Sequence, residues 1–139
     1  MSFLRIFGFP VLALAATLAS AEVVIVVSAQ NPTTALSRSE ISSIFLGKTN
    51  RFPDGTPAVP IDQPEGSVLR AEFYRGVSNK QPADIKAYWS KMIFTGRGQP
   101  PAVADGDEQV KKILASRADA IGYIDRASVD RRIKVLTVQ

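Results

Sequence analysis

The sequence predicts an α/β fold, a mixed sheet flanked by helices. A continuous β-branched run, Glu22-Val-Val-Ile-Val-Val-Ser-Ala29, reads as a central strand buried on both faces. Further short apolar strands alternate with segments whose apolar residues recur every three or four positions, the helical period. With 139 residues, and with no repeat or low-complexity tract to divide them, the chain is about the size of one domain.

The elements follow in order. Asn31-Pro32 ends the first strand. Ser37-Arg38-Ser39-Glu40 has the spacing of a capping box, and Ile41, Ile44 and Phe45 then form one apolar helix face that stops at Gly47. Pro53-Asp54-Gly55-Thr56 is a turn. Ala58-Val59-Pro60-Ile61 is a short strand whose proline predicts a sheet edge or a strand end. Gln63-Pro64-Glu65-Gly66-Ser67 leads into a helix from Val68 to Arg75, with Leu69 and Phe73 inward and Gly76 closing it. Pro82 suits the first turn of the next helix, where Ile85, Tyr88, Trp89, Met92 and Ile93 make an amphipathic match. Phe94 to Pro101 is a loop. Asp105 and Glu108 frame a helix start, with Val110, Ile113 and Leu114 buried. Ala120 to Ile124 is a strand, Asp125 to Asp130 a short helical turn, and Ile133 to Val138 the last strand.

Residues 1–21 lie outside this pattern. Arg5 precedes an apolar run from Ile6 to Leu18, and Ala19-Ser20-Ala21 follows. A charged start, a short apolar core and an A-x-A end read as a secretory signal peptide, with cleavage expected before Glu22. The run is shorter than the ~20 residues that span hydrocarbon and Pro10 interrupts it, so no stable membrane insertion is expected. The chain is then exported, to a periplasm, and residues 22–139 form the functional domain.

Composition excludes much chemistry. The chain has no Cys and no His. Disulfide scaffolds, thiolate metal sites, thiol nucleophiles and Ser-His-Asp hydrolysis are ruled out. No carboxylate pair has a context for acid–base catalysis, so a noncatalytic protein without cofactor or metal is expected. Lys and Arg number 17 against 13 Asp and Glu, a formal net charge of +4. The basic residues are scattered among acids and do not interleave with aromatic residues, so no nucleic acid is expected as partner.

Five phrases carry a resemblance: Leu36…Ile41…Ile44-Phe45-Leu46-Gly47, Pro53-Asp54-Gly55, Ile61…Gly66-Ser67…Phe73, Tyr88-Trp89…Phe94-Thr95-Gly96, and Ala120-Ile121-Gly122-Tyr123. In order and spacing, over about residues 23–138, they resemble the substrate-binding proteins of phosphate ABC importers. The resemblance implies a single lobe, similar to the second one, of a type II periplasmic binding protein-like fold. It also implies noncatalytic binding of phosphate or another small anion, and an ABC importer or another periplasmic protein as partner. Two copies facing each other, a homodimer, would rebuild a two-sided cleft. The alternative is an accessory interaction module that kept the lobe and lost the ligand.

In that family a loop of the type Arg-x-Asp-x-Ser-Gly-Thr holds phosphate at a helix N-terminus, where free N–H groups and the positive dipole end attract an anion. Setting Phe73 on the family's phenylalanine puts Ser67 on the motif serine and Gln63 where the arginine stands. Val68 and Leu69 fall at the Gly-Thr positions. The resemblance therefore implies an anion site of Gln63, Gly66, Ser67 and Arg70, the last reaching back from one turn into the helix. Read as a residue alone, Ser67 is an N-cap. Tyr88 and Trp89 read as core or as a stacking platform. Thr95-Gly96-Arg97-Gly98 reads as a flexible loop or a small anion nest. Asp105-Gly106-Asp107-Glu108 reads as helix capping, since it lacks a calcium-loop pattern. Gly122 reads as a position of close backbone packing.

Overall fold

The computed structural model describes Gly8, Pro10 and residues 21–139; the leader segment expected at residues 1–21 falls almost wholly outside the described residues. Strands β1 (Val23–Ser28), β3 (Val59–Asp62), β4 (Ala102–Val103), β5 (Ala120–Asp125) and β6 (Ile133–Val135) form one sheet in the order β4-β3-β5-β1-β6. Helices α1 (Arg38–Phe45), α2 (Val68–Ser78), α3 (Pro82–Phe94) and α4 (Asp107–Ser116) flank it. A separate parallel pair joins β2 (Ala35–Leu36) to β7 (Thr137–Val138).

The sheet is mixed. β3 pairs in parallel with β4 and β5, whereas β1 is antiparallel to both β5 and β6. The β-branched run is central, as its composition requires, with Val24 to Ser28 all buried. Its alternate side chains enter two cores. Ile25 and Val27 join α1, α2 and α3 on one face, and Val24 and Val26 join α4 on the other.

Local chemistry sets the helix ends. Ser37 Oγ accepts from Glu40 N (3.0 Å) and Glu40 Oε1 accepts from Ser37 N (2.9 Å), the reciprocal capping box. Past the end of α1, Gly47 N donates to Ile44 O (3.2 Å) and Lys48 N to Ser43 O (2.8 Å), which uses the last free carbonyls. Gly47 is also a point of close approach, since a Cβ there would stand 3.2 Å from the Trp89 ring.

Several boundaries differ from expectation, each for a physical reason. α2 does not close at Gly76. It runs on to Ser78 and ends on Asn79, which takes the left-handed conformation (φ 52°) that asparagine tolerates better than most residues. β3 is not an edge strand. It lies between β4 and β5, and β4 pairs with it only from Ile61 onward, so no β4 ladder reaches Pro60. The last apolar run is two strands: Leu136 is buried between β6 and β7. The N-cap of α4 is Gly106, with Asp107 already in the helix.

Gly122 on β5 sits beneath α4. A Cβ there would fall 2.8 Å from Val110 Cγ1, a separation real side chains do not adopt. Around the same helix, Lys111 bridges Glu108 (3.2 Å) and Asp130 (3.0 Å), and Arg132 bridges Glu108 (2.9 Å) and Asp130 (2.7 Å). Hydrogen bonds from Arg132 and then Lys111 draw the Glu108 carboxyl down to about 2.

Two outcomes follow from this packing. Gly122→Ala forces α4 off the sheet and lowers unfolding free energy by about 1–3 kcal/mol, read by urea denaturation. Because Glu108 is depressed in the folded chain, its contribution is present above its ordinary value of 4.5 and is lost as pH falls toward 2. The midpoints of wild type and Glu108→Gln therefore differ at neutral pH and converge in acid; equal midpoints at pH 7 would contradict the ion network.

Candidate functional site

The carboxyl ends of the parallel strands bring three segments to one edge of the sheet. They are the loop Gln63–Ser67 entering α2, the turn at Ala104–Gly106 entering α4, and the 3-10 turn Arg126–Ser128 after β5. Such an edge is where open α/β sheets take ligands, because helix N–H groups point into it.

Asp62 closes β3 and is only 3% exposed. Its Oδ2 accepts from Tyr74 Oη at 2.6 Å. Its Oδ1 accepts from Tyr123 Oη and, at 2.8 Å, from Gln63 N; Arg70 Nε stands 3.4 Å away. A carboxylate out of water is tolerated only with this kind of donor set and counter-charge. Phe73 stacks on Tyr123 with ring centroids 4.0 Å apart and planes 6° off parallel, which holds that hydroxyl in place. Burial, and then the charge of Asp62, push both phenols above the ordinary tyrosine range.

The four residues expected at the site separate around this group. Gln63 is turned inward. Its Nε2 donates to Asp107 Oδ1 (2.9 Å) and to Tyr123 O (2.9 Å), so it ties the loop to α4 and β5. Ser67 caps α2, its Oγ accepting from Arg70 N at 3.2 Å. Gly66 is exposed at φ 87°, the left-handed region that glycine enters freely, with nothing within 4 Å of where a Cβ would be. Arg70 is 9% exposed; its guanidinium lies over the Tyr74 ring at 5.1 Å, and its Nε has no hydrogen-bond acceptor.

The start of α2 is open. Val68 is 70% exposed, and the backbone N–H groups of Gly66, Val68 and Leu69 find no acceptor among the described residues. Glu65, Gly66, Arg70, Pro82, Ala83 and Lys86 line a shallow cleft of about 190 Å³ beside it. The start of α4 differs in carrying a carboxylate of its own. Asp107 Oδ1 is taken by Gln63, and Oδ2 accepts from Asp125 N (3.1 Å) and Ser128 Oγ (2.7 Å).

Among the remaining candidates, Trp89 packs in the core and Tyr88 Oη donates to Leu46 O at 2.6 Å. Thr95 Oγ1 donates to Lys91 O (2.8 Å) in an exposed loop. Asp62, Tyr74, Tyr123 and Asp107 are absent from the sequence-derived site. The available signal was an acid directly after the buried β3 run; the tyrosines are embedded in apolar strings that read as core.

Comparison with solved structures fits this fold. A Clostridium perfringens protein described as a phosphate ABC transporter substrate-binding protein, solved with bound phosphate, superimposes with a TM-score of 0.66 at 24% identity, over 85% of this chain and 45% of that one. An ABC-type phosphate transport receptor of Vibrio cholerae gives 0.61 at 18% identity, over 85% of this chain and 46% of that one. The fold is that of phosphate-importer binding proteins. The chain spans under half the length of the structures it matches. No family model matches the sequence, and no curated protein matches it. Among the described residues no helix is long and apolar enough to cross a membrane.

The Asp62 cluster makes a spectroscopic prediction. Tyr74 and Tyr123 have folded-state values raised above those of the unfolded chain, so their neutral burial stabilises the fold below pH ~10 and is lost as pH rises. Titration of the phenolate absorbance is expected to show these two of the three tyrosines ionising only together with loss of the fold. Reversible ionisation of all three near pH 10 in a folded chain would contradict the cluster.

Proposed function

We propose that this chain is a noncatalytic binding module that takes phosphate or another small oxyanion at the open start of α2. Residues 1–21 direct export, and residues 22–139 act in the periplasm with an ABC importer or another periplasmic protein. One observation carries the reading: three amide N–H groups without acceptors stand at an accessible helix end, beside a nearly buried arginine. An anion there gains hydrogen bonds and the favourable end of the helix dipole without displacing a protein partner. The phosphate bound in the C. perfringens structure supports the ligand class. Ser67 orders the turn, Gly66 lets the backbone approach, and Arg70 supplies positive charge from below. Gln63 contributes by holding the loop rather than by touching the ligand.

A second reading is favoured by the arrangement of Gln63 and Arg70. One is wholly engaged inside the protein and the other is held toward Asp62, which fits an accessory module that kept the lobe and gave up the ligand.

Titration calorimetry of residues 22–139 separates the two. Phosphate or sulfate is expected to bind with a dissociation constant below about 1 mM, and Val68→Asp to abolish binding by placing a carboxylate at the same N–H groups. That substitution keeps or raises helix stability by about 0.3–1 kcal/mol, because an acid in the first turn complements the dipole. A folded wild-type protein giving no heat with several oxyanions would sink the binding reading and leave the accessory module.

A further inference from the structure

The outward face of α3 is not absorbed by the anion site. α3 is seated by Ile85 and Trp89; at 100° per residue Phe94 falls opposite that seat, Ser90 and Lys91 lie on the same outer side, and Ile93, at the flank of the seated face, is left exposed at the helix end. Phe94 is 92% exposed and Ile93 56%, at the last turn of a helix whose end is fixed rather than frayed. Gly96 N donates to Ile93 O (3.1 Å) and Arg97 N to Met92 O (2.9 Å), folding the chain back so that Arg97 follows directly on the aromatic tip.

Along the chain, the charge of the segment that carries this tip has one sign. No carboxylate occurs between Asp84 and Asp105, and Lys86, Lys91 and Arg97 all fall in that interval. None of these three cations is in an ion pair among the described residues, so their charge is not neutralised by a protein carboxylate. Ile93 and Phe94 line none of the five described clefts, and Phe94 projects into solvent. An exposed aromatic flanked in the chain by Lys91 and Arg97 matches a surface with an apolar interior under an anionic skin, and a second copy of the same basic segment would repel it.

We propose that the Ile93–Phe94 end of α3 is a peripheral contact site for anionic lipid. Phe94 and Ile93 enter the headgroup–acyl boundary while Lys91 and Arg97 stay at the lipid phosphates. The flat lipid surface asks for no complementary pocket, which is why a protruding tip fits it better than it fits a folded acidic protein.

Vesicle co-sedimentation of residues 22–139, which contain both core clusters and the whole sheet, tests this. Vesicles of phosphatidylglycerol and phosphatidylcholine mixed are expected to retain the protein, and pure phosphatidylcholine to retain it at least about tenfold less. Phe94→Ser is expected to lose most of the binding with an unchanged melting curve, because the ring contributes little to the folded core. Lys91→Gln with Arg97→Gln is expected to remove the dependence on anionic lipid. Equal retention of wild type and Phe94→Ser overturns the proposal. So does binding to soluble polyglutamate that equals binding to vesicles and is indifferent to Phe94, which would mark an acidic protein as the partner.

Discussion

Asp62 is the constraint from which the geometry of the sheet edge follows. A carboxylate held out of water at the end of β3 must be met by donors and counter-charge: Tyr74 from α2, Tyr123 from β5 and the backbone of Gln63 from the loop donate to it, and Arg70 from α2 stands beside it as the ion-pair partner. Each donor fixes the position of the element that carries it. Removing one member of a buried charged pair costs about 3–5 kcal/mol, a large part of the stability of a domain this size. The angle at which α2 leaves the sheet, and with it the direction of its free N–H groups, is therefore set from beneath by one side chain.

The two helices that begin at this edge show opposite solutions to the same electrostatic problem. α4 carries its own anion, Asp107, whose oxygens are consumed by Gln63, Asp125 and Ser128. α2 has no acid in its first turn and has Ser67 as its cap, so one amide is satisfied and others remain. A helix start with carboxylates in its first turn presents negative charge to an incoming anion, whatever its free amides offer. One without them still has capacity for a negatively charged group from outside.

Much of this arrangement was legible in the sequence where it depended on neighbours in the chain. The capping box at Ser37 and Glu40, the start of α3 at Pro82, the β-branched β1 and the close approach at Gly122 follow from short-range pattern or from the size of one residue. The mixed α/β architecture was legible too, both in the alternation of elements and in the phrases that resemble phosphate-importer receptors, whose fold this chain has. The two-residue strands β2 and β4 were not, and β7 was read only as the end of one longer strand, because their pairing is with partners far along the chain, as Ala35 with Thr137 is. The same distance hid the site's foundation. Tyr123 reaches Asp62 across 61 positions, and Gln63 reaches Asp107 across 44. Motif alignment placed Gln63 at a ligand position, but no local pattern records that its amide turns inward.

Trp89 has one more consequence. It is the sole tryptophan of the chain, is nearly buried, and keeps its indole nitrogen without an acceptor while its ring abuts Gly47 and Gly98. Its surroundings are apolar and it is the main anchor of α3, so its fluorescence is blue-shifted when that helix is seated and moves to the red when it lifts. The protein thus carries a built-in optical gauge of how firmly its most exposed helix is attached.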